Sequence, residues 1–413
     1  MEYHNRIIEN KCKALSKLFP IIAVLGARQV GKSTLLNHLF GKKAKTFVFD
    51  PINDSFGARN DPELFLKEHK TPMILDEIQF AVELLPALKR KVDINQENGI
   101  YYLTGSQNLS MMKNISESLA GRVGIIELAG MTIGELENKN IKTNWLSLWL
   151  QGLNAFKSKM PVRSSSNISL TERLWRGNMP GLLQFNNDEY IHDYFNSYTL
   201  TYIERDVRQA GNIKNLDSFR QFISLVSVLT AQEINLSQLG RELGITRITA
   251  REWLSILKST YQWISFPPYH GNAIKRLSKH HKGYLHDTGL ACFLQHISSP
   301  ESLFISPALG KIFETNVATN IYKQIFTMPT KPACYHWRTL AGAEVDIILE
   351  IDGQLWPFEC KCSSRITKHD ARGILAFRKT YPKITKTPAA IIAPVDEPYP
   401  LAEDIWVLPY DLI

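Results

Sequence analysis

Residues 21–25, IIAVL, are an unbroken apolar run, followed by GARQVGKS and then by apolar positions at helical spacing. This pattern predicts a buried strand, a glycine-bearing loop and a helix. PMILDEIQ (72–79), GIYYLTGSQ (99–107) and SLAGRVGIIEL (118–128) each contain a further short apolar run, two of them closed by small or acidic residues. Strand, loop and helix alternate, so the fold class is α/β, with a largely parallel sheet that binds ligand at its carboxyl edge.

Further on the periodicity changes. NLSQLGRELGITRITAREWLSILKS (235–259) places Leu236, Leu239 and Leu243, then Ile248, Leu254 and Leu257, at helical spacing around Gly244. That is a helix-turn-helix outline. YQWISFPPY and KRLSKHHKGYLHD read as the strands of a wing. LGKIFETNVATNIYKQIF (309–326) has the pattern of an amphipathic helix and carries Glu314. EVDIILEIDGQLWPFECK (344–361) reads as a hairpin closed by Asp352-Gly353. That turn sets Asp346 opposite Glu359 and Glu344 opposite Lys361, on a face separate from Val345, Ile347, Leu349, Ile351, Trp356, Phe358 and Cys360. A helix in DARGILAFRKTYP (370–382) and a strand in PAAIIAP (388–394) follow. KSKMPVRSSSNISL (157–170) has the composition of a linker.

These patterns divide the 413 residues into a first α/β domain at 1–136, a helical lid or connector at 137–230, a winged-helix-like segment at 231–300 and a last α/β domain at 301–413. At 44% hydrophobic and 21% charged, the composition is that of an ordinary soluble globular protein. Five cysteines, an odd number without framework spacing, point to a reducing compartment. With no apolar leader and no apolar run near 18 residues (WLSLWLQGL, 145–153, is too short), a cytoplasmic protein that does not span a membrane is expected. The net charge of +8 is uneven: 1–136 has 17 basic and 15 acidic residues, 137–300 has 19 and 12, and 301–413 has 12 and 13. The basic middle fits an anionic partner or a solvated surface equally well.

GARQVGKS is G-x-x-x-x-G-K-S between a strand and a helix, the context that phosphate binding requires. Gly26, Ala27, Arg28, Gln29, Val30, Gly31, Lys32, Ser33 and Thr34 would wrap the phosphates of ATP. Lys32 would reach the β- and γ-phosphates, and Ser33 would bind Mg²⁺. Asp76 fits a partner of Mg²⁺, and Glu77 fits the group that polarises the attacking water. Thr104 or Ser106 either senses the γ-phosphate at the carboxyl end of its strand or simply forms the turn that ends it. Arg122 is either a surface residue or a γ-phosphate contact, in cis or from a neighbouring subunit of a homo-oligomer. In the middle segment Arg247, Arg251, Lys275, Arg276, Lys279 and Lys282 are candidates for phosphate contacts to nucleic acid, DNA before RNA.

GARQVGKSTLL, ILDEIQ, LTGSQ and SLAGR, in that order, resemble a widespread prokaryotic family of AAA-like P-loop ATPases with an uncharacterised C-terminal domain. YTLTYIERDVRQ (198–209), FPPYHGNAIKRLSKHHKGYLHDTGLACFL (266–294) and the hairpin extend the likeness over most of the chain. The order helix, hairpin, helix, strand, with D…ExK on the hairpin, is similar to the PD-(D/E)xK nuclease superfamily. The resemblance maps its motif to Asp346, Glu359 and Lys361, with Glu314 as the helical acid. It implies that the three acids hold Mg²⁺ and that Lys361 steadies the attacking water or the phosphate.

The leading expectation is therefore an ATPase that couples nucleotide state to a nuclease-like domain acting on nucleic acid. Two rivals share these residues: an ATP-dependent switch or scaffold with an inactive nuclease-like fold, and a non-cleaving DNA-binding regulator.

Overall fold

The computed structural model describes residues 2–106, 115, 118–139, 144–185, 188–203, 213, 215–272 and 280–413. Its N-terminal layer is a five-stranded parallel sheet of β1 (Ile21–Leu25), β2 (Lys45–Val48), β3 (Met73–Asp76), β4 (Tyr101–Gly105) and β5 (Val123–Glu127), ordered β2-β3-β4-β1-β5. Every residue of β1, β3 and β4 is buried, which is why these strands read as apolar runs rather than as alternation. With β4 inserted between β1 and β3, the loop after β1 and the ends of β3 and β4 meet at one edge. The helix α1 (Lys32–Phe40) leaves that edge.

The central part holds α2 (Leu236–Glu242) and α3 (Arg247–Ser259), joined through Gly244, whose φ of +64° favours glycine. Beside them β6 (Gln232–Glu233), β7 (Trp263–Phe266) and β8 (Lys282–Leu285) form an antiparallel sheet ordered β6-β8-β7. The Trp263 indole lies against Gly283, where an added Cβ would meet the ring at 2.0 Å.

The C-terminal part begins with α4 (Leu309–Ile325). It continues as a six-stranded mixed sheet of β9 (Ala333–Arg338), β10 (Glu344–Ile351), β11 (Gln354–Cys360), β12 (Ala389–Ala393), β13 (Tyr399–Ala402) and β14 (Ile405–Pro409), ordered β13-β14-β12-β11-β10-β9. The helix α5 (Arg372–Thr380) covers one face. The β10–β11 hairpin has the expected register, from Ile347 opposite Phe358 to Ile351 opposite Gln354. Asp352 and Gly353 take φ of +51° and +72°, as a two-residue hairpin turn requires.

Two expectations about this part need correction. The hairpin does not divide into one apolar face and one face of charged residues. Ile347, Leu349, Trp356 and Phe358 pack into the main core, while Val345, Ile348 and Leu355 pack with Ile374 and Phe377 of α5 in a second core. Val345 changes sides because the β9–β10 register shifts between Val345 and Ile348. Nor is α4 half-exposed. Thr315, Asn316, Thr319, Asn320, Lys323 and Gln324 are buried along with its apolar residues. Several of these polar groups find partners across domains: Thr315 bonds Thr230 at 2.8 Å, and Lys323 Nζ donates to Met131 O at 2.9 Å.

All five cysteines are free, and Cys360 and Cys362 pack against the main core. Among the described residues, no helix is long and apolar enough to cross a membrane.

Candidate functional sites

The loop after β1 is shaped for close packing. A Cβ on Gly26 would lie 2.0 Å from Leu128 O, and Gly31 has a φ of +91°. Lys32 is buried, and its Nζ donates to Gly26 O at 3.1 Å and Ala27 O at 2.8 Å, so the ammonium folds over the loop. Ser33 Oγ donates to Asp76 Oδ1 at 2.7 Å, and Thr104 Oγ1 donates to the same oxygen. Thr104 also accepts the Glu77 N–H at 2.9 Å. Its hydroxyl therefore bridges the Asp76 carboxylate and the Glu77 backbone, a geometry that sequence reading alone did not reveal. Gln79 Nε2 donates to Glu77 Oε2 and to Ser106 Oγ, the latter at 3.3 Å. Gln29 accepts from Tyr194 OH at 2.8 Å, which draws the helix Glu189–Tyr198 over the loop. Gly26 to Thr34, Asp76, Glu77, Thr104 and Ser106 thus lie at one end of the sheet.

Arg122 lies at the other end. Its carbonyl accepts from Ile21 N, and Val123 pairs with Ile21 at the amino edge of β1. Five residues of strand, about 16 Å, separate it from the phosphate loop. It forms an ion pair with Asp93. A cis contact to the γ-phosphate is therefore excluded by geometry.

Arg6 was missed. It is buried, and its guanidinium donates to Val30 O at 2.8 Å and Ala129 O at 2.7 Å, with Glu135 at 3.1 Å from Nε. Glu135 also accepts the Ile7 N–H at 2.7 Å and caps its own helix. This fork holds the phosphate loop to the segment after β5. The only trace in the sequence is an arginine followed by two isoleucines.

The C-terminal acids form the second site. Lys282 Nζ lies 2.7 Å from Asp346 Oδ1 and 2.6 Å from Glu314 Oε1. Asp346 Oδ2 accepts the Cys360 N–H at 2.9 Å, and Tyr284 OH donates to Glu314 at 2.9 Å. Glu359 Oε1 takes Lys361 Nζ at 2.7 Å, while its buried Oε2 has no hydrogen-bond partner among the described residues. Glu344 pairs with Arg338 of β9, with 3.8 Å between the charged groups, while Lys361 pairs with Glu359.

Burial and the neighbouring Asp346 push the Glu314 carboxyl up to about 8. Burial would raise Asp346 as well, but the Lys282 ammonium holds it below the usual carboxylate range. Burial and then Asp346 raise Glu359 well above that range.

The cluster departs from the sequence-based expectation in two ways. Lys282 is not a surface phosphate contact: it is buried and neutralises two carboxylates, because its strand β8 packs against α4 and the hairpin. The donors at Glu314, Asp346 and Glu359 are hard oxygens, as Mg²⁺ prefers. Yet among the described residues no three acidic, histidine or cysteine side chains converge as a metal site. In this arrangement a lysine, not a divalent cation, holds Asp346 and Glu314 together. Arg247 and Arg251 are exposed on α3, as expected. Lys275, Arg276 and Lys279, and the ERDV stretch at 204–207, lie outside the described residues.

Sheet order, loop and the convergence of Lys32, Ser33, Asp76 and Glu77 define a P-loop nucleotide-binding domain. Residues 18–137 match the family model of the AAA domain, so this part of the chain is an AAA-like P-loop ATPase domain. Residues 167–301 and 309–413 match two domains of unknown function (DUF8612 and DUF4143). Uncharacterized proteins of Mycobacterium tuberculosis and Mycobacterium bovis are each 28% identical over 396 residues, covering 95% of this chain and 81% of the relative. Among solved structures, a Walker-type ATPase of Pyrococcus abyssi aligns with a TM-score of 0.45 at 13% identity, over 71% of this chain and 99% of that one. The RuvB Holliday junction branch migration motor of Thermotoga maritima aligns with a TM-score of 0.31 at 17% identity, over 64% and 90%.

Proposed function

We propose that this protein hydrolyses ATP and couples its nucleotide state to the C-terminal domain, which acts as a nuclease-like unit on nucleic acid held by a winged-helix-like centre. One helix carries the coupling. Near its start, α4 brings Glu314 to the Lys282–Asp346 cluster. Eight residues on, about 12 Å along the axis, Tyr322 OH donates to Glu127 at 3.3 Å and Lys323 holds Met131 O. Glu127 pairs in register with Leu25, the residue before Gly26. A rearrangement at the phosphate loop therefore reaches the acid cluster through a single buried rod.

In the ATPase site Lys32 leaves its loop carbonyls for the β- and γ-phosphates. Ser33 and Asp76 would hold Mg²⁺, which supplies charge neutralisation on the phosphates. Glu77, released from Gln79, takes the proton side of the attacking water. No step is assigned to a metal at the C-terminal acids while Lys282 bridges them. That bridge favours a second reading, in which the nuclease-like unit binds or signals without cutting.

The test is ATP turnover and strand cleavage on DNA and RNA, with and without Mg²⁺. Lys32→Ala is expected to lose nucleotide binding, and Glu77→Gln to keep binding and lose turnover. Cleavage by the wild type that disappears in Glu359→Gln supports the first reading. ATP turnover with no cleavage in either protein selects the second. Wild-type turnover in Glu77→Gln would remove the role given to Glu77.

A further inference from the structure

Two neighbouring cavities, of about 470 and 370 Å³, share Lys258, Ser265 and His281; the first lies between the central and C-terminal parts and the second within the central part. The outer cavity runs along α3. Arg247, Arg251 and Lys258 lie four and seven residues apart, hence on one helical face, with His280 and His281 opposite. None of the three has a carboxylate partner among the described residues. The inner cavity is different in character. Tyr261, Trp263 and Tyr322 wall it, Lys331 lines it with its ammonium over the Tyr322 ring, and Glu127 is the carboxylate within its lining. Trp263 is 3% exposed, and its Nε1–H has no acceptor among the described residues. Burial, then the nearby Lys258 and His280, lower the His281 pKa, as expected where cations crowd together without a counter-ion.

We propose that this joined groove binds single-stranded nucleic acid, with phosphates along Arg247, Arg251 and Lys258 and one unpaired base in the inner chamber. The division of chemistry supports that polarity. Cations line the entrance, where phosphates are neutralised. Aromatic rings wall the chamber, where a base stacks. Inside, Glu127 offers a carboxylate acceptor, suited to the edge of a base and not to a phosphate. A base still paired in a duplex cannot enter such a chamber. The site also touches the coupling path, since Glu127 and Tyr322 belong to it. The inference rests on the nucleic-acid reading above and names the form of that ligand.

The test is fluorescence polarisation of the full chain in EDTA without ATP, so that neither turnover nor cleavage enters. The probes are a labelled single strand, its duplex and free mononucleotides as competitors. The single strand is expected to bind at least about tenfold more tightly than the duplex. Affinity should fall with salt at a log–log slope of roughly −0.7 per phosphate neutralised. Lys258→Gln should weaken the single strand several-fold and reduce that slope. Ser265→Phe, which adds bulk where the two cavities adjoin, should weaken single-strand binding and leave duplex binding unchanged. Thermal melts identify a misfolded Ser265→Phe, and Lys258→Gln, at an exposed position, then decides alone. Equal affinity for the duplex, or an unchanged single-strand affinity in Lys258→Gln, would overturn the proposal. So would mononucleotide binding without strand binding, which would make the chamber a free-nucleotide pocket. Strand binding that persists in a protein without ATP turnover would sustain this inference while the ATPase reading fails.

Discussion

Lys282 and Asp346, 64 residues apart in the chain, form a buried ion pair at 2.7 Å, and the same ammonium reaches Glu314 at 2.6 Å. A strand of the central sheet thereby supplies the counter-charge for acids carried by α4 and the C-terminal hairpin.

Removing that charge should be costly. Lys282→Met keeps the length and apolar stem but leaves the buried Asp346 carboxylate beside Glu314 without its cation. The loss of stability is expected to be about 3–5 kcal/mol, measured by urea unfolding. Adding Asp346→Asn and Glu314→Gln to Lys282→Met should recover much of it. In a Lys32→Ala background without nucleotide, Mn²⁺ should raise the melting temperature of Lys282→Met more than that of the parent, by mass action on the folded state. Equal metal responses would show that the acids hold no cation even when the lysine is gone.

Arg6 offers a test of the phosphate-loop strap. Arg6→Ala leaves Glu135 buried without its cation and the Val30 and Ala129 carbonyls without their donor. A loss of about 3–5 kcal/mol is expected, together with weaker binding of a fluorescent ATP analogue. Arg6→Lys should recover little, because an ammonium cannot span both carbonyls and the carboxylate as the planar fork does.

Arg122→Ala separates geometry from motif. The residue lies at the amino edge of the sheet and pairs with exposed Asp93. At protein concentrations where single chains predominate, nucleotide affinity and turnover should match the wild type. A defect that appears only as protein concentration rises would assign Arg122 to a neighbouring subunit's nucleotide.

Two buried histidines set an acid limit. Burial, and then the nearby Lys323, lower His286 to about 3. Burial, and then Lys282, lower His336 to about 3. Their pKa values are depressed relative to the unfolded chain, near 6.5. The unfolded state therefore binds more protons between pH 6.5 and 3, and stability falls as pH drops through that window. Each contributes up to about 1.4 kcal/mol per pH unit there. Glu314, raised to about 8, acts with the opposite sign between about 4.5 and 8. The measurement is thus a difference: His336→Asn should lower the slope of unfolding free energy against pH by about one proton relative to wild type. Parallel slopes would mean that His336 is not held neutral.

The sequence alone determined the elements whose signals are local. The phosphate loop depends on glycines, a lysine and a serine within one strand-loop-helix segment. The hairpin register depends on Asp352-Gly353 and the alternation beside it. Both are short-range, so composition and spacing carry them. Only the tertiary structure decided which charges meet. Lys282 sat within a run of basic residues and read as surface, but burial against α4 and β10 makes its nearest partners acids far away in sequence. Arg6 gave no local signal, because its role depends on Val30, Ala129 and Glu135, which only the packed sheet assembles. Val345 changed faces through a bulge that depends on β9, a strand that the hairpin pattern does not contain. Arg122 closes a motif-like SLAGR, yet strand direction placed it at the wrong edge for a cis role. The physical reason is the same in each case. Desolvation and ion pairing depend on distances in space, and these are set by how whole elements pack, not by the residues next to one another in the chain.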